Sequence, residues 1–142
     1  MTMKDLVIDC KCLILDKRNQ ILLVKEPEHW ETLGGRLKEV ETPTECLLRE
    51  ISEELGAKLE IIDKLPIFYR KKAKHEGQFI DVLVIYFFGR LLSTPRLNKQ
   101  KCNGEKILEI SWFAPNDIRN INLNKIEEAQ LFPILKNLEK NQ

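Results

Sequence analysis

The chain carries almost no surplus charge, no long apolar run, and few of the residues that mark zinc sites or disulfide frameworks. Its 23 lysines and arginines stand against 22 aspartates and glutamates, a formal charge of +1. So close a balance builds no basic field of the kind that draws in polynucleotides, which argues against a long nucleic acid as partner. No stretch approaches the roughly 18 consecutive apolar residues of a membrane span, and residues 1–15 mix charged and apolar side chains without a signal-peptide pattern. No membrane partner is therefore expected, and the expected location is cytoplasmic. Cysteine occurs only at Cys10, Cys12, Cys46 and Cys102. Cys10 and Cys12 are two apart in a strand-like run, which turns both to one face as small core residues. A zinc site would need two further convergent ligands, for which Cys102 and His29 are the weak candidates, and a reducing compartment disfavours disulfides. His29 and His75 stand isolated in loop-like stretches and receive no role. Repeats and low-complexity segments are absent. At 142 residues and 43% hydrophobic, the sequence fits one domain over 1–142, with no room for a second.

What is present is β-rich at both ends and helical in between. Leu6 to Leu15 alternates, with Leu6, Ile8, Cys10, Cys12 and Ile14 on one face and Asp9 and Lys11 on the other, as in a half-buried strand. Asp16 to Gln20 reads as a turn and Ile21 to Lys25 as a short strand. Glu26-Pro27-Glu28-His29 then breaks the pattern ahead of Trp30 and a loop holding Gly34 and Gly35. Lys58 to Arg70 is β-rich, with Pro66 suggesting an edge or a bulge, and RKKAKHEGQ reads as a hairpin connection. Phe79 to Leu92 contains VLVIYFFG, the pattern of a central strand covered on both faces. Ser93 to Lys106 is a polar loop, and Leu108, Ile110 and Trp112 mark a last strand. Pro115-Asn116-Asp117 opens a helical turn, and Ile126 to Leu138 is an amphipathic helix with Ile126, Ala129, Leu131, Ile134, Leu135 and Leu138 inward, kinked or broken at Pro133.

The chain is organised around Gly35 to Ala57. Thr42, Pro43 and Glu45 form a capping box with proline at the first helical position, and Gly56 stops the helix. Leu47, Leu48, Ile51 and Leu55 supply its apolar stripe. Glu50, Glu53 and Glu54, spaced i, i+3 and i+4, share an adjacent face. Unpaired, three carboxylates so placed repel one another. A divalent cation relieves the repulsion, and oxygen ligands suit magnesium or manganese.

The same stretch resembles the Nudix box, G-x5-E-x7-R-E-U-x-E-E-x-G-U, where U is a bulky aliphatic. Gly35, Glu41, Arg49, Glu50, Glu53, Glu54 and Gly56 fall in register, Ile51 fills the first U, and Ala57 is a small occupant of the last. At ordinary residue usage, seven fixed matches in one window arise by chance about once in 10⁸. The resemblance implies an α/β fold, a mixed β-sheet sandwiched between α-helices, and hydrolysis of a diphosphate linkage in a nucleoside diphosphate derivative. It implies Glu50 and Glu54 as main metal ligands, with Glu53 and the Gly35 carbonyl completing the site and Mg²⁺, or Mn²⁺, as the ion. Glu50 and Glu53 become catalytic, with Glu50 the first candidate for general base and Glu105 or Glu76 the alternatives. Arg49 orients a box carboxylate, with Glu53 or Glu41 as its partner.

A nucleoside triphosphate is the first choice of substrate; ADP-ribose, a nucleotide sugar or a dinucleoside polyphosphate are alternatives, as is a non-catalytic nucleotide-binding module. Arg36, beside Gly35, is placed for phosphate, and Trp30 for a base or, equally, as a lid over the core. Trp112 reads as structural, Phe68 and Tyr69 remain unassigned, and Arg70, Lys71, Lys72 and Lys74 read as a solvated hairpin tip. Leu33 replaces the proline common before the glycine pair, and Lys38 stands where many relatives carry an acid. Either a monomer or a homodimer is compatible with this pattern.

Overall fold

Apolar alternation before the box resolves into strands, and the capped segment into a helix laid across them. The computed structural model describes residues 6–62, 67–75, 77–98 and 109–140. In chain order these form β1 (Leu6–Ile14), β2 (Ile21–Lys25), β3 (Trp30–Glu31), β4 (Leu33–Arg36), α1 (Pro43–Leu55), β5 (Leu59–Ile61), β6 (Ile67–His75), β7 (Gln78–Leu91), β8 (Glu109–Phe113), α2 (Pro115–Ile118) and α3 (Lys125–Lys140). A mixed sheet runs β4-β1-β7-β5, with β6 also paired to β7. Within it β1 and β7 are parallel, from Leu6↔Asp81 to Ile14↔Gly89, and the other pairs are antiparallel. A second, antiparallel sheet runs β3-β2-β8.

The mixed sheet is covered on both faces. On one, Cys10, Cys12, Ile14, Ile85 and Phe87 pack with Cys46, Leu47, Ile51 and Leu55 of α1. On the other, Leu13, Val82, Val84 and Tyr86 pack with Ile118 of α2 and Leu131, Ile134 and Leu135 of α3. This is the helix-sheet-helix sandwich expected, and it explains why β7 reads as an unbroken apolar run. β1 is more enclosed than a half-buried strand: Leu13 is buried on the face that Asp9 and Lys11 share, whereas Leu6 is exposed.

Local chemistry delimits α1 as its ends predict. Thr42 Oγ1 accepts from the Glu45 N–H at 3.2 Å, and Glu45 Oε1 accepts from the Thr42 N–H at 3.0 Å. A cap of this kind contributes about 1 kcal/mol. Gly56 takes the left-handed conformation, φ 57°, that ends the helix. Arg96 and Asn98, from the loop after β7, donate backbone N–H groups to the carbonyls of Leu55 and Glu54 at 2.8 and 2.7 Å, satisfying the helix end.

Several expectations are corrected. Leu48 lies outside the buried stripe of α1 at 41% exposure, and Cys46 and Glu54 turn inward instead. Gly34 and Gly35 sit in strand β4, opposite Lys11 and Cys10, and not in a loop. Residues 70–75 belong to β6, so the connection to β7 shrinks to a tight turn and the basic run lies on a strand. α3 continues through Pro133 without a break, and its Ala129 is exposed while Glu127 and Gln130 are buried. The proposed features at Pro66, Glu76, Cys102, Glu105 and Leu108 lie outside the described residues. Among the described residues no helix is long and apolar enough to cross a membrane.

Candidate active site

Arg49 is the hub of the box. Its Nε and Nη2 reach Glu41 at 3.0 and 2.8 Å as a two-pronged pair, and Nη1 donates to Glu50 Oε1 at 2.8 Å. Glu53 Oε2 stands 3.5 Å from the same Nη1, and Nη2 also donates to the Arg36 carbonyl at 3.4 Å. The guanidinium thus binds the segment entering the helix to two helix carboxylates. Hydrogen bonds from Arg49, then from the Lys38 N–H, hold the Glu41 carboxyl down at about 2. Hydrogen bonding to Glu41 reciprocally outweighs partial burial and raises the Arg49 pKa.

Close approach explains the glycine pair. A Cβ at Gly34, whose φ is +147°, would come within 2.0 Å of the Cys10 carbonyl oxygen. A Cβ at Gly35 would meet the Glu50 carboxyl at 2.5 Å. Glu50 therefore lies directly against the backbone of the glycine whose carbonyl is a proposed ligand. Beneath them Cys46 Sγ donates to the carbonyls of Gly35 and Arg36 at 3.7 and 3.6 Å. Its bond with Cys10, then burial, keep the proton on the Cys46 thiol.

Glu53 is open, at 44% side-chain exposure, whereas Glu54 is 8% exposed. The donor set, carboxylates beside a backbone carbonyl, fits a hard divalent cation, and the missing Cβ at Gly35 leaves the room that the Glu50 carboxyl occupies. The three box acids do not gather their ligand atoms into one tight group. Among the described residues, the group whose ligand atoms all lie within 4.8 Å of one another is Glu26, His29 and Glu31. His29 Nε2 is 2.9 Å from Glu26 and 3.5 Å from Glu31, so a histidine assigned no role by sequence sits between two acids.

Those two acids belong to a cavity of about 580 Å³ lined by Asp9, Lys11, Glu26, Glu31, Gly34, Gly35 and Arg36. Of the predicted site residues it takes in Gly35 and Arg36. Arg36 is half exposed and faces Asp9 Oδ1 at 3.6 Å. Trp30 turns to packing: its ring meets Phe113 edge-on at 4.8 Å, with Lys25 5.6 Å from the ring centroid.

Sequence reading missed the floor and far wall of this cavity. Lys11 donates to the Thr32 carbonyl at 3.3 Å. Burial pushes its pKa down, but the carboxylates of Glu127, Glu31, Asp9 and Glu54 more than reverse this and hold it above the ordinary lysine value. Burial raises the Glu31 pKa, yet Lys11 and then Glu26 and His29 carry it below normal. Behind them, Glu127 is buried and accepts from Thr32 N at 2.9 Å, Thr32 Oγ1 at 2.6 Å and Tyr86 OH at 2.9 Å. The available signals were charges within the apolar run of β1 and a glutamate at the inward register of α3.

With box, glycine pair and cavity together, the chain belongs to the Nudix hydrolase family: the NUDIX domain model matches residues 7–137. Among curated relatives, it is 30% identical over 125 residues to a protein named nucleoside triphosphatase NudI of Enterobacter sp. (strain 638), covering 80% of this chain and 86% of that one. The NudI of Klebsiella pneumoniae (strain 342) is 28% identical over 131 residues, covering 84% and 91%. Among solved structures, the E. coli ORF135 protein superposes with a TM-score of 0.69 at 17% identity, covering 92% of this chain and 86% of that one, a likeness of fold. Hydrolases of this family generally need a divalent metal.

Proposed function

We propose that this chain is a Mg²⁺-dependent nucleoside triphosphate pyrophosphohydrolase, one catalytic unit over 1–142, releasing a nucleoside monophosphate and pyrophosphate. The observation that carries the reading is the Arg49 hub, which fixes Glu50 against Gly35. The names of the NudI relatives support the choice of substrate.

Glu50, Glu53, Glu54 and the Gly35 carbonyl would hold the ion, which supplies charge neutralisation at phosphate oxygens and a lowered pKa for water. Glu50 accepts the proton of the attacking water. Arg49, by holding Glu50 through Oε1, presets that carboxylate, so orientation is settled before substrate arrives. Arg36, at the cavity mouth, takes a phosphate oxygen. Trp30, packed edge-on against Phe113, takes the second of its two expected roles, a lid over the core.

The test is turnover of nucleoside triphosphates with Mg²⁺, products identified by ion-exchange chromatography. Chelation should abolish turnover and added Mg²⁺ restore it. Glu54→Gln should lower kcat about 100-fold or more, since even outer partners of a bound metal are worth 10–100-fold, with the folded state retained by circular dichroism. Full Mg²⁺-dependent activity in that variant would overturn the assignment.

A further inference from the structure

The turn between β2 and β3 gathers three side chains that the box chemistry does not use. The Glu26 N–H donates to the His29 carbonyl at 2.9 Å, closing the turn around Pro27, and the pairing of Val24 with Glu31 sets the third residue on β3 beside the first two. β3 is itself tied to the chain ahead of α3: the Trp30 N–H donates to the Asn122 carbonyl at 2.8 Å, and the Asn124 N–H to the Trp30 carbonyl at 2.9 Å. Backbone bonds therefore fix the three positions before any ligand arrives, the condition for a preorganised site. None of the three residues belongs to α1, which carries Glu50, Glu53 and Glu54.

Their geometry is that of a coordination shell. His29 Nε2 stands 2.9 Å from Glu26 Oε2 and 3.5 Å from Glu31 Oε2, and one ligand atom of each residue lies within 4.8 Å of the other two. Metal bonds of about 2.1 Å to nitrogen and oxygen put neighbouring ligands about 3.0 Å apart in an octahedron and about 3.4 Å apart in a tetrahedron. The ring nitrogen is also presented in the form a metal needs. Asn124 Oδ1 accepts from the Glu127 N–H at 3.3 Å, which turns its Nδ2 toward His29 Nε2, 3.3 Å away, and an amide N–H there calls for an unprotonated nitrogen. In that form a lone pair faces two carboxylates, and a cation is what reconciles three acceptors so gathered. Burial works against a charge on Glu31, but Lys11 helps to outweigh it, which favours the ionised form a ligand requires.

We propose that Glu26, His29 and Glu31 form a second divalent-cation site, one that prefers a transition ion such as Zn²⁺ to Mg²⁺. An imidazole nitrogen among carboxylates selects in that direction, because Mg²⁺ favours oxygen ligands throughout. Three protein ligands leave a coordination position for a further group, and Glu26 and Glu31 also line the cavity. A dication held there turns the lining from three carboxylates against two cations into a surplus of positive charge, so the cavity then favours an anionic ligand. The site stands whether or not the chain is a pyrophosphohydrolase.

The experiment titrates the metal-free, full-length chain with Zn²⁺, Mn²⁺ and Mg²⁺ by calorimetry and follows the imidazole nitrogens by NMR. The parent is compared with His29→Gln, with Glu26→Gln, which serves if His29→Gln does not fold, and with Glu54→Gln as the control for the box. Zn²⁺ should move the Nε2 resonance of one of the two histidines, the one missing in His29→Gln, and Mg²⁺ should leave it in place. His29→Gln and Glu26→Gln should each weaken Zn²⁺ binding at this site by about tenfold or more, since even outer partners of a bound metal are worth about 10–100-fold. Glu54→Gln should leave it unchanged. Zn²⁺ affinity equal in the parent, His29→Gln and Glu26→Gln overturns the proposal, as does affinity lost in Glu54→Gln alone. A His29 resonance that answers to pH but not to Zn²⁺ overturns it too, and marks the cluster as an ion pair.

Discussion

At the residue scale, Arg49 owes its effect to shape as much as charge. Two prongs on Glu41 and a third on Glu50 require a planar fork, which a lysine lacks. Arg49→Lys should therefore lower kcat by about 10–100-fold, the range for groups that orient metal-binding side chains, with little change in melting temperature. Steady-state kinetics beside thermal melts check this. The Glu41 half carries a pH signature. Its carboxyl sits at about 2 in the fold against an ordinary 4.5, so its stabilisation is complete above about 4.5 and is lost as pH falls toward 2. Between those limits the melting temperature of the parent should fall more steeply than that of Glu41→Gln.

At the scale of the element, β4 and α1 are joined by what the glycines lack. At Gly34 the obstacle to a side chain is the backbone of β1; at Gly35 it is the end of the Glu50 side chain, which can move. Gly34→Ala should accordingly destabilise by about 3 kcal/mol or more, as backbone strain and overpacking combine. Gly35→Ala should fold nearly as well and lose activity by displacing Glu50. Urea titration and turnover on the two variants separate these outcomes. The same elements show what a sequence discloses. α1 was legible to both ends because its capping box, proline and glycine act over a few residues. That Glu50, Glu53 and Glu54 all fall on this helix was legible for the same reason, being a matter of where its two ends lie.

The cavity was not, because Lys11, Glu31 and Glu127 come from three separate elements brought together only by strand register and the docking of α3. A charge in an apolar strand, or a glutamate replacing an aliphatic on a helix's inner face, shows that a polar site exists but not what it meets. The glycines were read as a loop because glycine is scarce in strands. Here the tight β1–β4 approach requires them. Residues 70–75 misled in the opposite way: lysines suggest solvent, yet an edge strand carries them readily.

At the scale of the whole molecule, one sheet serves two cores. Ile51 lies in the core under α1, and Leu13 in the core under α3, and β1 and β7 contribute side chains to both. Leu13→Ala and Ile51→Ala should each cost about 2–5 kcal/mol, and each should shift a single cooperative transition. Far-ultraviolet circular dichroism and tryptophan fluorescence, followed together in urea, should give coincident curves, because neither core can dissolve without exposing the sheet beneath the other.

The parallel pairing of the first strand with β7 carries a consequence for synthesis. β1 leaves the ribosome early, but the edge it needs is translated only after the box, β5 and β6 have emerged. Until then α1 can coil locally while its apolar stripe has only part of a platform to rest on. A nascent chain at that stage exposes unpaired strand edges to its surroundings, the condition in which chaperones bind and neighbouring polypeptides stick. Ribosome stalling before Leu91 should leave protease-sensitive chains, and extending the stalled product past α3 should confer resistance.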